Sequence, residues 1–248
     1  MRRQRTEDRG QMTDDRSQEI CENLRNLRIN RFFYSVFCLL SSVFFFIAGC
    51  SGPFKQINYS ANELYRSPVI EDVNDHRIGF LTTIVSRWSN LGEYRLTVSD
   101  ILEKAFKLEK PSIVFVSSRE AINSINNAGL TSSYSEMLDY YDITGILNIS
   151  LLKRIGNALD VRYVAQPRLL SFTETTYSRF SFLGLSLIST RETTVKIFLQ
   201  VWDVSTGNIV WEGSGQATIA VEAMRARPVT FEEVAETASF SLIKKLPF

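Results

Sequence analysis

The hydrophobic positions change period along the chain. From Phe32 to Ile47 they are nearly continuous, FFYSVFCLLSSVFFFI, 16 residues without a charge. From Arg77 to Leu159 short apolar runs alternate with helical spacing. Arg77–Val85 reads as a buried strand and Ser112–Val116 as a short β-rich run. Thr97–Leu108 predicts a helix with Ile101, Leu102, Ala105 and Leu108 on one side. Ser117-x-x-Glu120 is a capping box that opens a helix ending at Gly129. Ser133-x-x-Glu136 opens another, stopping near Thr144-Gly145, and Asn148–Leu159 carries Ile149, Leu152, Ile155 and Leu159 at helical intervals.

The period then changes to two. Val161–Thr173 predicts a strand, with an edge or a bulge at Pro167 because proline cannot donate to a ladder. In Thr193–Asp203 the positions Val195, Ile197, Leu199 and Val201 face one way. Ile209–Val221 alternates with Ile209, Trp211, Gly213, Gly215, Ala217, Ile219 and Val221 on one face. Thr230-x-x-Glu233 caps a last helix with an apolar stripe of Phe231, Val234, Ala235, Ala238 and Leu242. This order predicts a single α/β domain. It has a mixed sheet of about five strands, a right-handed parallel βαβ start and an antiparallel three-stranded meander, with helices packed on the sheet.

The apolar run near the amino terminus reads as an address. Arg25, Arg28 and Arg31 precede it, and it is short of the ~20 residues of a spanning helix. A basic stretch before a short apolar core is the pattern of a secretory signal peptide. Residues 1–31 mix eight Arg with six acidic residues, a long extension, and either Met1 or Met12 can be the start. The run ends Ile47-Ala48-Gly49-Cys50, which resembles the lipobox of bacterial lipoproteins. That resemblance implies a diacylglyceryl group on the Cys50 thiol, cleavage before Cys50 and acylation of the new amino group. More than one acyl chain gives stable anchoring. The competing reading is an uncleaved signal anchor with a buried cysteine. Ser51 stands where an Asp favours inner-membrane retention in enterobacterial-type lipoproteins, so the resemblance favours the outer membrane.

Residues 1–49 are thus expected to be the leader, 50–70 a lipidated flexible tether and 71–248 the periplasmic domain. A flexible 51–68 would reach roughly 23 Å. The alternative for this stretch is an extended arm packed along the domain, which Phe54, Tyr59 and Leu64 keep open.

Two stretches resemble one superfamily. Ile155–Val164, IGNALDVRYV, is a helix end running into a strand, and Leu199–Trp211, LQVWDVSTGNIVW, is a hairpin. Together they resemble bacterial envelope lipoproteins that include the curli-secretion lipoprotein, the activator lipoprotein of a penicillin-binding protein and the amino-terminal domain of the Tol translocation protein. The patterns are A-L-G-V-D-Y-V and D-x-x-T-G-x-I-V-W. Asp160 stands where Gly is common and Arg162 where Asp is common. The residues that carry the likeness are structural: Gly207 supplies positive φ, Asp203 bonds turn amides and Trp211 pins the hairpin. Curli-secretion proteins carry membrane-inserting hairpins in this region, whereas Thr176–Thr190 is too short to supply two spanning strands. Within it Phe180, Phe182, Leu183, Leu185 and Leu187 form either part of the domain's own core or an apolar flap that docks on a partner.

Composition narrows the chemistry. The 248 residues are 44% hydrophobic and 22% charged with a net charge of +1, which argues against disorder and against a basic nucleic-acid surface. Loss of the leader leaves 20 basic and 21 acidic residues. One histidine, His76, and three cysteines, Cys21, Cys38 and Cys50, leave little for a metal set or a Cys–His pair. Gly213-Ser-Gly215 lies inside a strand pattern, and no Gly-x-Ser-x-Gly elbow is present. The expectation is a non-enzymatic, membrane-anchored periplasmic lipoprotein that binds another envelope protein or itself, with no cofactor, metal, nucleic acid or small-molecule substrate. A secretion-complex subunit and an envelope hydrolase are the rivals.

Overall fold

The computed structural model describes residues 54–68, 77–86, 89–182, 185–223 and 229–247, and the side chains of 179–188 and 223 lie outside that description. The described residues belong to one unit, Pro53–Phe248. The elements in chain order are β1 (Phe54–Arg66), β2 (Ile78–Phe80), β3 (Ile84–Val85), α1 (Arg95–Glu109), β4 (Phe115–Val116), α2 (Ser118–Asn127), α3 (Thr131–Thr144), α4 (Ile149–Leu159), β5 (Tyr163–Phe182), β6 (Leu185–Asp203), β7 (Asn208–Ala223) and α5 (Phe231–Ile243).

One mixed sheet holds all seven strands. Its order is β1-β7-β6-β5-β2-β4, and β3 also pairs with β5. β2 runs parallel to β4 and to β5, which is the expected βαβ start with α1 as the crossover. β5, β6 and β7 form the antiparallel meander. The count is seven and not about five for two reasons. The single strand expected over Arg77–Val85 breaks at 81–83 into β2 and β3, and β1 adds an edge.

β1 corrects the tether. Residues 54–66 are a strand paired antiparallel with β7, from Phe54 opposite Glu222 to Arg66 opposite Trp211. No alternation announced it, because twelve of its thirteen residues are exposed and neither face selects apolar side chains.

The sheet carries a helix layer on each face. α1 and α5 cover one, where Val98, Leu102, Phe106, Val234, Ala238 and Leu242 pack on Val195, Ile197, Leu199, Val201, Trp211, Ala217 and Ile219. α2, α3 and α4 cover the other over the β2–β5 side, packing Ile125, Met137, Tyr141, Leu152 and Ile155 on Val164, Trp202 and Val204. α5 sits close to β7 because residue 215 is glycine: a Cβ there would lie 2.5 Å from the Ala238 carbonyl oxygen.

Several boundaries differ from expectation. Leu108 is exposed and Phe106 fills the core in its place, since Phe106 follows Val98 and Leu102 at intervals of four along the buried face of α1. α3 starts at Thr131, so Ser133 and Glu136 lie inside it and form no cap. Ser117 and Glu120 do form the reciprocal capping box, and Asn148 and Thr230 cap α4 and α5 through bonds from Leu151 N and Glu233 N.

Pro167 is not at a bulge but at a local edge, a gap in the pairing on one side of β5. It lies in β5 opposite Leu199, and the bulge comes at Leu170. Proline is tolerated there because it falls between the residues that pair with β2 and those that pair with β3. The Ala165 carbonyl accepts from Leu81 N on that edge, so by alternation the Pro167 nitrogen faces the same interruption. Gln166, fully buried, donates from Nε2 to the Thr82 carbonyl and spans the gap.

Ile209 is also corrected. A register shift between Val201 and Trp202 makes Val210 the extra residue, so Val210 joins Trp211 in one core and Ile209 packs against the other.

Candidate functional site

The expected hairpin residues meet at the β6–β7 turn. Asp203 Oδ1 accepts from Ser205 N at 2.7 Å, Ser205 Oγ at 2.5 Å and Thr206 N at 3.3 Å, and Oδ2 lies 3.5 Å from Arg162 Nη2. Burial pushes the Asp203 carboxyl up, but these bonds outweigh it and the net direction is down. Gly207 takes φ +73° and donates its N–H to the Asp203 carbonyl at 2.8 Å. A Cβ at Gly207 would also strike the Ile149 side chain at 2.6 Å, so the turn is seated on the start of α4.

Trp211 is fully buried, and its Nε1–H donates to Glu63 Oε2 at 2.9 Å. Arg66 Nη2 donates to the same oxygen at 2.8 Å. The Arg66 hydrogen bond first, and the Trp211 bond second, hold the Glu63 carboxyl below its usual range. Asp203, Gly207 and Trp211 therefore stand in complete structural arrangements, with their polar groups engaged inside the fold.

The apolar hairpin lies where β5 meets β6. The backbone pairs Phe180 with Ile188 and Phe182 with Leu185, and Leu187 lies on β6. Leu183 lies outside the described residues, as do the side chains of Phe180, Phe182, Leu185 and Leu187. Among the described residues the pairing of β6 with β7 runs as far as Ser189 opposite Ala223, and β5–β6 pairs continue beyond that row. Before it, Thr173–Ser178 of β5 are exposed on both faces. The window 176–190 does not bound these strands, because β5 runs from Tyr163 to Phe182 and β6 from Leu185 to Asp203.

A second surface was not read from the sequence. Between α3 and α4 lies an open groove of about 890 Å³ lined by Glu136, Met137, Tyr140, Ile146, Ile149 and Arg154, with Gly207 at one side. Of its lining, Tyr140, Ile146 and Ile149 are exposed, and Ile143, near the end of α3 but outside that lining, is 82% exposed. The signal was present: Ile143, Ile146 and Ile149 recur at intervals of three across Gly145, which ends α3 in the left-handed conformation (φ +71°).

The other polar groups are internal. Tyr141 Oη donates to Gln200 Oε1 at 2.6 Å, and Gln200 Nε2 donates to Glu212 Oε2 at 2.8 Å. Tyr134 Oη bonds Thr82. Burial pushes both phenols up, so they remain neutral donors. Among the described residues there is no group of three or more His, Cys, Asp or Glu that could hold a metal ion, and no helix is long and apolar enough to cross a membrane. Glu232 and Glu233 occupy the first turn of α5. Cys21, Cys38, Cys50, His76, Glu71, Asp72, Arg225 and Arg227 lie outside the described residues.

No protein-family model matches the chain, and no curated protein matches it. Among solved structures it is similar to the PelC dodecamer from Paraburkholderia phytofirmans, at 11% identity over 78% of this chain and 94% of that one, with a TM-score of 0.39. It is also similar to lipoprotein GNA1162 from Neisseria meningitidis, at 13% identity over 56% of this chain and 80% of that one (TM-score 0.37). The LpoB C-terminal domain from Escherichia coli is 14% identical over 59% of this chain and 86% of that one (TM-score 0.36).

Proposed function

We propose that this chain is a non-enzymatic protein-binding module of the bacterial envelope, held on the periplasmic side of the outer membrane by lipid on Cys50. The hydrophobic run ending in Ala48-Gly49-Cys50 supports the anchor. The observation that carries the binding role is the apolar rim of the α3–α4 groove. Tyr140, Ile146 and Ile149 on the groove, with Ile143 close by in sequence, leave their side chains in water within ten residues. Covering them is favourable at ~25 cal/mol per Å² of apolar area. Glu136 and Arg154 flank them and supply polar registration. Phe180, Phe182, Leu183, Leu185 and Leu187 are the second proposed contact, since an apolar hairpin end gains from being covered by a partner.

Cys50→Ala is expected to abolish fatty-acid labelling and leave the leader uncut; unchanged labelling removes the anchor from the proposal. Crosslinking in membranes tests the binding role. Ile143→Ser with Ile146→Ser, and separately Phe182→Ser with Leu185→Ser, should lose the crosslinked partner while thermal unfolding stays unchanged. Retained crosslinks with both double variants would exclude both surfaces. A steep loss of stability in the second would place Phe182 and Leu185 in the core.

A further inference from the structure

Among the described residues β1 is the outer strand of the sheet, paired with β7 on one side and with no strand on the other. Phe54, Ile57, Tyr59 and Leu64 are all exposed on it. An edge strand presents a row of free N–H and C=O groups that templates another strand, and natural edges are blunted by short length, proline, lysine or bulges. β1 has thirteen residues and no proline. Its one lysine, Lys55, bridges Glu233 on α5, and its bulge comes late, between Glu63 and Tyr65. The edge at the other side of the sheet, β4, is two residues long.

We propose that two copies of this chain pair edge to edge through β1, antiparallel, about a two-fold axis at Tyr59. In an antiparallel ladder the groups facing one partner alternate along the strand. Two identical edges related by a two-fold axis therefore pair residues of like parity, so the axis falls on a residue. Centred on Tyr59, the register sets Lys55 opposite Glu63, Phe54 opposite Leu64, Gln56 opposite Asn62, Ile57 opposite Ala61 and Asn58 opposite Ser60. Every pair joins opposite charge, apolar with apolar or polar with polar, the combinations that stabilise cross-strand contacts.

The neighbouring registers fail this test. Centred on Asn58, Phe54 meets Asn62 and Glu63 falls beyond the ladder. Centred on Ser60, Ile57 meets Glu63 and Gln56 meets Leu64, so apolar side chains face polar ones. A parallel, in-register pairing would bring Lys55 to Lys55 and Glu63 to Glu63.

The same register continues the core. Ile57 and Tyr59 lie opposite Ile219 and Ala217 of β7, both buried under α5. Their side chains therefore share the α5 face at its open margin. Pairing at Tyr59 places Ile57, Tyr59 and Ala61 of both copies side by side across the seam, and the two seven-stranded sheets become one. The interface is isologous and closed, so it stops at two copies. It rests on the described sheet alone, independently of lipid on Cys50 and of the α3–α4 groove.

Cysteine crosslinking of the full chain in detergent reads the register, with the native chain setting the background from Cys21, Cys38 and Cys50. Tyr59→Cys should crosslink to its copy with a short thiol reagent, since directly opposed Cβ atoms lie ~4.5–5.5 Å apart. Lys55→Cys alone should give background, because its two copies would be ~27 Å apart at ~3.4 Å per residue. Lys55→Cys combined with Glu63→Cys should restore the crosslink. Light scattering should give a dimer for the native chain. Asn58→Lys with Ser60→Lys, which opposes like charges without touching a buried residue, should halve the mass and leave the melting temperature unchanged. A monomeric native chain, no crosslink from Tyr59→Cys, a crosslink from Lys55→Cys alone equal to that from Tyr59→Cys, or a dimer that survives the double lysine variant would each overturn the pairing.

Discussion

Trp211 shows how a single residue joins two distant parts of the chain. Its ring fills the core beneath α5, and its one polar atom needs an acceptor, which Glu63 supplies from a strand 148 residues earlier. Trp211→Ala should therefore cost about 3–5 kcal/mol, from lost burial and the cavity left behind. Denaturant unfolding measures this, and a change within error would contradict the burial. The carboxylates set the pH response. Glu63, Asp203 and Glu120 all titrate below their ordinary values in the fold, and the Ser117 backbone N–H leads the causes at Glu120. In acid the unfolded chain binds protons at these groups first. Their stabilisation is complete above the ordinary carboxylate values, 4.5 for Glu and 3.8 for Asp, and is lost as pH falls through the lower folded values. The melting temperature should be level from neutral pH to about 5 and fall below it. A melting temperature that rises on acidification would reverse the sign.

At the scale of elements, the capping motifs at Ser117 and Thr230 and the turn at Asp203–Gly207 were legible, because each is satisfied within a few residues of sequence, whereas the same motif at Ser133 falls inside α3. Strand lengths were not. β5 runs to Phe182, nine residues past its expected end, since Thr173–Ser178 are exposed on both faces and give no period-two signal. Ile209 was misplaced for a related reason. A bulge at Val210 shifts the face by one residue, and an alternation read through it inverts. The contact of α5 with β7 depends on one missing side chain. Gly215→Ala should destabilise by about 1–3 kcal/mol, because the new methyl meets the α5 backbone and not a flexible side-chain end. Gly92→Ala, with no atom within 4 Å of the added Cβ, is the neutral comparison in the same thermal assay.

For the whole folded unit, the two helix layers share one sheet. Alternate residues of β5 serve both: Tyr163 and Ala165 pack under α1 and α5, and Val164 packs under α2–α4. Neither core can be lost while β5 stays in place. Unfolding should therefore be one cooperative transition, with calorimetric and van't Hoff enthalpies equal. Two resolved transitions would show that the layers open separately. The groove and the free β1 edge also belong to this scale. Both arise from what the layers leave uncovered, and neither lies within one element.

The sequence by itself determined the α/β class, the parallel start, the meander, the caps at Ser117 and Thr230 and the turn chemistry. These depend on periodicity and on hydrogen bonds between near neighbours, which are written locally. Tertiary structure decided that residues 54–66 are a strand, that the run from Arg77 splits around the Gln166 bridge, and that apolar residues at the end of α3 face water. A strand exposed on both faces carries no alternation of its own, and its partner lies more than 140 residues away. Its strand character comes from the backbone groups that β7 offers along its edge, and only the folded sheet presents them.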